Sequence, residues 1–286
     1  MSFELDKLEA QRLLQIAQQY EQLNDVYHAV KLYKKAIRTA PAWSKPYYYL
    51  SLIYRARKEW KPIFHYSQKT VECNSENLKA WWNLGLAATV LQRWEVAREA
   101  WEKLGHKTSA AAKLMPIQIA HRGFKEIVWT RQIDVVRVRI ESIPHPFSRR
   151  RYGEIIMHDR TSIGKLVVQQ KRVDIYKEVQ ALERSFFDTY SVLLHTDKAS
   201  DIDLLDKLCL EAELGFDNWT NSNEVHINSA RKAKAEYYSK NFFKQIEDEQ
   251  TYHVIGIAAK RRREVLEVLE TWRIITLANY SQLERH

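Results

Sequence analysis

The 286-residue sequence contains little glycine, proline or cysteine: seven, six and two residues, respectively. Scarcity of the two residues that shape turns argues against a loop-rich fold and favours a helical one. Cys73 and Cys209 lie far apart and form no CxxC pair. The sequence therefore predicts neither a disulfide framework nor a cysteine zinc site, and it suits a reducing compartment. No GxSxG, Walker or GxGxxG motif occurs, so we expect neither an enzyme nor a cofactor.

Long apolar runs are absent as well. No stretch approaches eighteen uninterrupted apolar residues, which predicts no membrane span and no membrane partner. The N-terminal segment is acidic and amphipathic and does not resemble a signal peptide, so we expect a cytoplasmic location. Hydrophobic residues make up 45% of the chain, enough for a sizeable core. The net charge of +9 suits an acidic partner, and a soluble surface with excess lysine and arginine also accounts for it.

The first part of the chain repeats itself at a fixed spacing, with large and small side chains recurring in three copies. The equivalent positions are Leu13, Tyr47 and Trp81; Ala17, Ser51 and Gly85; Ala29, Ile63 and Ala97; and Tyr33, Ser67 and Trp101. This pattern resembles the tetratricopeptide repeat (TPR) family in its spacing and its residue types, and the third copy matches it best. The resemblance covers residues 10–111. It implies three helical hairpins that stack into a short all-α solenoid.

The resemblance also implies a concave groove lined by the first helix of each hairpin. The residues predicted to bind a partner there are Lys45, Tyr48, Arg55, Lys79, Trp82 and Asn83. Aromatic and arginine side chains are common interface hot spots, so this mixture suits a peptide with an acidic group and an apolar anchor. The carboxylate clamp of some family members is not predicted, because Leu14 and Tyr49 replace polar groups. Alternatively, Tyr48 and Trp82 pack against a C-terminal region folded into the groove.

The helical period ends after about residue 111. The segment 107–123 is expected to supply a partial capping helix and a linker, which predicts a repeat domain over residues 1–122 and an α+β domain over residues 123–286. Alternating polarity predicts strands over residues 134–143, 152–159, 189–196, 219–227 and 252–259, with helices from 201 to a stop at Gly215 and over 262–275. The order β-α-β-β-α resembles the ferredoxin-like fold, so we predict an antiparallel sheet.

Two basic runs are further candidate binding sites. They comprise Arg149, Arg150 and Arg151 at the tip of a predicted hairpin, and Lys260, Arg261, Arg262 and Arg263 between a strand and a helix. Such runs bind phosphates or an acidic protein surface, or they form a solvated face. Histidines 158, 195, 226 and 253 fall on predicted strands without the spacing of metal ligands, so no metal site is predicted.

These features lead us to interpret the chain as a non-enzymatic adaptor that binds an acidic protein partner through the groove, the basic domain or both. Two alternatives stay open. The join of repeats to a small α+β domain looks like some bacterial proteins encoded beside toxin systems, which implies an immunity protein that occludes a toxin enzyme. The arginine runs, with Phe147, Tyr152 and Trp272 nearby, suit nucleic-acid binding instead.

Overall fold

The computed structural model describes residues 2–106, 113–168, 171–220 and 252–286. The chain divides into two compact units, Met1–Ser109 and Ala110–His286. No helix in the described ranges is long and apolar enough to cross a membrane.

Three helical hairpins form the N-terminal unit, and this confirms the predicted repeats for the described part of residues 10–111. The second helices of the hairpins begin at Val26, Trp60 and Trp94, which keeps the spacing of the sequence repeat. The helices are α1 (Ser2–Gln22), α2 (Val26–Thr39), α3 (Ser44–Ala56), α4 (Trp60–Cys73), α5 (Leu78–Val90) and α6 (Trp94–Lys103).

The turn inside each hairpin has the same backbone conformation. Asn24, Lys58 and Gln92, which occupy equivalent positions in the three copies, have φ values of 59°, 57° and 57°. A left-handed residue of this kind ends a helix and lets the next N–H bond back to a free carbonyl. Accordingly, the N–H groups of the three residues that follow donate to the carbonyls of Tyr20, Tyr54 and Ala88 at 2.8, 3.0 and 2.8 Å. The repeat period is therefore present in the backbone as well as in the side chains.

Small residues at the repeat positions allow the helices of a hairpin to pack closely around large ones. Ala17, Ala29 and Tyr33 are fully buried in the first copy. The Tyr33 hydroxyl donates to Glu21, which satisfies the one polar atom of this buried ring. In the third copy, the equivalent Gly85, Ala97 and Trp101 are also buried.

A closed five-stranded barrel forms the first part of the C-terminal unit. Its order is β1–β2–β3–β4–β6, and parallel pairing of Ile117 with Tyr176 joins β6 to β1. Strand β5 pairs with β6 as an antiparallel hairpin. Apolar side chains such as Ile119, Val138 and Ile156 form the interior. The strands are β1 (Leu114–His121), β2 (Phe124–Gln132), β3 (Arg137–Ile140), β4 (Ile155–His158), β5 (Gly164–Val168) and β6 (Lys171–Glu183).

Among the described residues, a four-stranded antiparallel sheet with two helices follows the barrel. The strand order is β10–β7–β9–β8, and the described elements follow the order β-α-β-β-α-β along the chain. Trp272, at the centre of this core, is fully buried and donates its indole N–H to the Asp201 carbonyl at 2.7 Å. The elements are β7 (Asp188–His195), α7 (Ala199–Glu211), β8 (Gly215–Asn218), β9 (His253–Ala259), α8 (Arg262–Thr276) and β10 (Asn279–Arg285).

The structure corrects two expectations for this half of the chain, and others fall outside the described residues. Residues 114–183 form a closed barrel rather than part of a ferredoxin-like sheet, because β1 and β6 pair and close the strands on themselves. Residues 114–121 form a strand where a linker was expected, so the predicted boundary after residue 122 falls inside the β1–β2 hairpin. The predicted strand over 219–227 lies mostly outside the described residues, as do residues 107–112 of the expected cap.

Candidate functional site

The first helices of the second and third hairpins carry the predicted groove residues. Lys45 and Lys79 are exposed and occupy equivalent positions in α3 and α5. Tyr48 is half-buried, and its ring meets that of Tyr49 edge-on with centroids 5.9 Å apart. These lysines and this tyrosine are therefore at least partly accessible, as a binding role requires.

Arg55 and Asn83 form a polar link between these two hairpins. The Arg55 guanidinium donates to the Asn83 side-chain oxygen at 2.6 Å, and the Asn83 amide nitrogen lies 3.5 Å from the Ser51 hydroxyl. Asn83 is 1% exposed. The amide is thus a buried link that positions Arg55, which corrects its assignment as a contact residue.

Trp82 is only 3% exposed, so it is not an accessible anchor for a partner. Its ring meets Trp101 edge-on at 5.1 Å between centroids and lies 6.2 Å from His106. The reason is that α5 is buried around its whole circumference, from Ala80 to Thr89. The sequence pattern assigns one face of this helix to the groove, whereas the structure covers that face too.

A cleft of about 1760 Å³ lies in the C-terminal unit, at the barrel end where β1 and β6 both finish. The β1–β2 turn, the loop between β3 and β4, and the residues after β6 line it. The 3-10 turn Pro146–Ser148 and the left-handed Arg149, with φ of 58°, shape the middle of that loop. This loop carries the first basic run into the cleft.

Five arginines line the cleft, and two of them are held in ion pairs: Arg122, Arg149, Arg150, Arg151 and Arg184. Arg150 donates twice to the Glu178 carboxylate, at 2.6 and 2.9 Å. Arg151 donates to Asp188 at 2.5 Å. Arg122, Arg149 and Arg184 are exposed, and they form no ion pair within the described residues.

Glu154 is a buried carboxyl group beneath these arginines. Burial raises its pKa, while the charge of Arg150, 3.9 Å away, acts in the opposite direction. Its Oε2 atom is buried without a hydrogen-bond partner among the described residues. The cleft therefore combines an arginine-rich wall with a carboxyl group whose negative charge is disfavoured by burial.

Phenylalanine rings stand beside the arginines. Phe147 is 48% exposed and Phe186 is 88% exposed. The Phe147 ring contacts those of Phe124 and His145, with centroids 6.0 and 4.9 Å apart. Burial lowers the pKa of His145 to about 4, so its ring is neutral at pH 7 and packs as an aromatic group.

The second basic run lies outside the cleft lining and caps a helix. Lys260–Arg263 is exposed, and α8 begins at Arg262, where the sequence predicts a helix start. The Glu264 carboxylate accepts the backbone N–H groups of Lys260 and Arg261 at 3.2 and 3.1 Å, which offsets the cations at this helix end. Arg263 is paired with Glu267 at 2.6 Å.

Two aromatic residues proposed to assist the arginine runs are unsuited to stacking on a base. Trp272 is fully buried in the core, and Tyr152 is half-buried against Phe187 with ring centroids 5.2 Å apart. Sequence reasoning missed Arg122, Arg184 and Phe186, because single cations and an isolated ring in turns carry no local pattern.

The histidines on the strands serve separate local contacts. His195 Nε2 lies 2.7 Å from the Ser281 hydroxyl, and His158 Nδ1 lies 3.0 Å from the Asp159 carbonyl. His226 lies outside the described residues. Within the ranges that are described, no three metal-binding side chains cluster.

Comparison with solved structures finds tetratricopeptide domains. The chain is similar to "First TPR of Spaghetti (RPAP3) bound to HSP90 peptide SRMEEVD" at 20% identity, covering 34% of this chain and 78% of that chain with a TM-score of 0.32. It is also similar to the second TPR of the same protein, at 14% identity, 36% and 96% coverage and a TM-score of 0.33. A third is the N-terminal domain of stress-induced protein-1 (STI-1) from C. elegans, at 18% identity, 34% and 86% coverage and a TM-score of 0.31.

The N-terminal unit is a short solenoid of tetratricopeptide-type hairpins. No protein-family model matches the chain, and no curated protein matches it.

Proposed function

We propose that the protein is a non-enzymatic interaction module that binds an acidic segment of another protein along the first helices of its repeats. The observation that carries this proposal is the pair of exposed lysines, Lys45 and Lys79, at equivalent positions of neighbouring repeats. Cations repeated on neighbouring helices match a partner that presents successive acidic groups. Opposite charges speed the encounter of two proteins and fix the position of one along the other.

Tyr48 and Arg55 support the same proposal. Tyr48 follows Lys45 by three residues on α3 and offers a half-buried ring for an apolar anchor. Arg55 is held by the buried Asn83, so less side-chain entropy is lost when it meets a carboxylate. Trp82 and Asn83 act from beneath this surface and are not proposed to touch the partner.

Affinity purification with mass spectrometry, followed by binding measurements on the captured protein, tests the proposal. The test variant is Lys45→Glu with Lys79→Glu. The control is Lys34→Glu with Lys61→Glu, which makes the same charge change at exposed positions of second helices. We expect the test variant to lose the partner and the control to retain it.

Equal binding by both variants would contradict the proposal that the partner binds along the first helices of the repeats. An enzyme among the captured proteins, inhibited by the parent chain, would support the immunity role over that of an adaptor.

A further inference from the structure

We propose that the cleft at the barrel end binds single-stranded nucleic acid. Three exposed arginines contact phosphates, and two exposed rings stack on bases. The arginines are Arg122, Arg149 and Arg184, and the rings are those of Phe147 and Phe186. This site lies wholly within the C-terminal unit and does not depend on the proposed groove.

The charge of the cleft requires an anionic ligand. Arg150 and Arg151 are paired with Glu178 and Asp188, whereas the three exposed arginines of the lining form no ion pair among the described residues. The acidic side chains of the lining are Glu154, which is buried and has a raised pKa, and the exposed Glu183. Guanidinium groups bind phosphate through paired N–H donors, so three of them suit a chain of phosphates.

The exposed rings distinguish a nucleic acid from other anions. An acidic peptide would satisfy the arginines but would leave the ring of Phe186 in water. A base has an apolar face that covers such a ring, and alternating cations and rings are typical of proteins that bind single strands. The ring of Phe147 is already held by Phe124 and His145, so it needs little reordering.

The size of the cleft favours a polymer. Pockets for small molecules commonly measure about 300–1,000 Å³, whereas this open cleft measures about 1760 Å³. It therefore has room for several nucleotides. Duplex RNA or DNA hides its base faces in the stack, so a duplex would not use the two rings.

Fluorescence anisotropy with the full chain and a labelled single-stranded RNA of about twelve nucleotides tests the proposal. The main variant is Arg122→Ala, Arg149→Ala and Arg184→Ala. The control is Lys165→Ala, Lys171→Ala and Arg172→Ala, which removes three exposed cations from the β5–β6 hairpin. A second variant, Phe147→Ala with Phe186→Ala, leaves the charge unchanged.

We expect the arginine variant to bind about tenfold or more weakly and to reduce the slope of log K against log salt by about 2, since each phosphate contact contributes roughly 0.7. The phenylalanine variant should lose roughly fivefold or more per ring without a change in slope. The control should bind like the parent.

Failure of the parent to bind at about 50 mM salt would overturn the proposal. Equal weakening by the control, unchanged binding in the phenylalanine variant, or equal competition by a glutamate-rich peptide or a duplex would do so too. Single-stranded DNA in parallel separates recognition of the 2′-hydroxyl from recognition of the strand.

Discussion

Gly85 of α5 lies directly against the indole of Trp101 in α6. A Cβ built on Gly85 would stand 2.5 Å from Cη2 of Trp101 and 2.7 Å from Cζ3. No carbon atom fits at these distances. Glycine is therefore required at position 85 for the Trp101 ring to occupy this place. The equivalent pair in the second repeat is Ser51 and Ser67, both fully buried. The repeats thus keep one spacing with different pairs of side chains.

Replacing Gly85 should destabilise the N-terminal unit. In Gly85→Leu the new side chain must displace the Trp101 ring, and overpacking of this kind costs about 1–3 kcal/mol. Urea unfolding monitored by circular dichroism measures the change. Lys79→Leu is the matched control, because it places the same side chain at an exposed position of the same helix. A Gly85→Leu protein as stable as the parent would show that the register of the third hairpin is wrong.

The bond between Arg55 and Asn83 should couple the second and third hairpins energetically. A double-mutant cycle of Arg55→Ala and Asn83→Ala should give an interaction energy of about 1–2 kcal/mol, because the donor is charged and the acceptor is buried. The same cycle between Lys34→Ala, on α2 of the first hairpin, and Asn83→Ala serves as the control and should be additive within about 0.5 kcal/mol. Additivity in the first cycle would contradict the link.

The helical half could be predicted from the sequence because its information is local and repeated. Each hairpin is specified by small and large residues at a fixed spacing, and the left-handed turn residues recur at that spacing too. What the pattern could not show is burial on a second face. Trp82 lies at a position that faces the groove in related repeats, yet neighbours such as Trp101 and His106 cover it.

The barrel could not be predicted because its closure depends on residues far apart in the chain. Ile117 pairs with Tyr176, and nothing in the sequence around either residue indicates this pairing. The roles of the arginines depend on distant partners in the same way. Arg150 meets Glu178, and Arg151 meets Asp188, so two of three adjacent cations are used structurally while Arg149 is left exposed.

Arg149 and Arg151 should therefore respond differently to substitution. Asp188 accepts from Arg151 and from Arg285, both at 2.5 Å, and its side chain is largely buried. Arg151→Ala should lower the free energy of unfolding by about 1–2 kcal/mol, because one charged hydrogen bond to this carboxylate is lost. Arg149→Ala should change it by less than about 0.5 kcal/mol. Thermal and urea unfolding of the two variants measure this difference, and equal losses would argue against it.

Acidification should act on two buried groups near Ile143 in opposite directions. The Ile143 N–H donates to Asp217 at 3.3 Å, and burial raises the pKa of Asp217 from 3.8 to about 6. Its folded form therefore takes up a proton more readily than the unfolded form, which stabilises the fold as the pH falls through this window. Burial lowers the pKa of His145 from 6.5 to about 4, so its contribution is lost as the pH falls through that range.

Single substitutions should separate these opposing contributions. Asp217→Asn removes the group that favours the folded state at low pH, so its unfolding free energy should fall more steeply than that of the parent between about pH 6 and 4. The unfolding free energy of the His145→Gln variant should fall less steeply than that of the parent, because the group that resists protonation in the folded state is gone. Each difference should reach about 3 kcal/mol at most, since one pKa unit corresponds to about 1.4 kcal/mol. Urea unfolding across this range measures the slopes, and parallel profiles for both variants would refute the assignment.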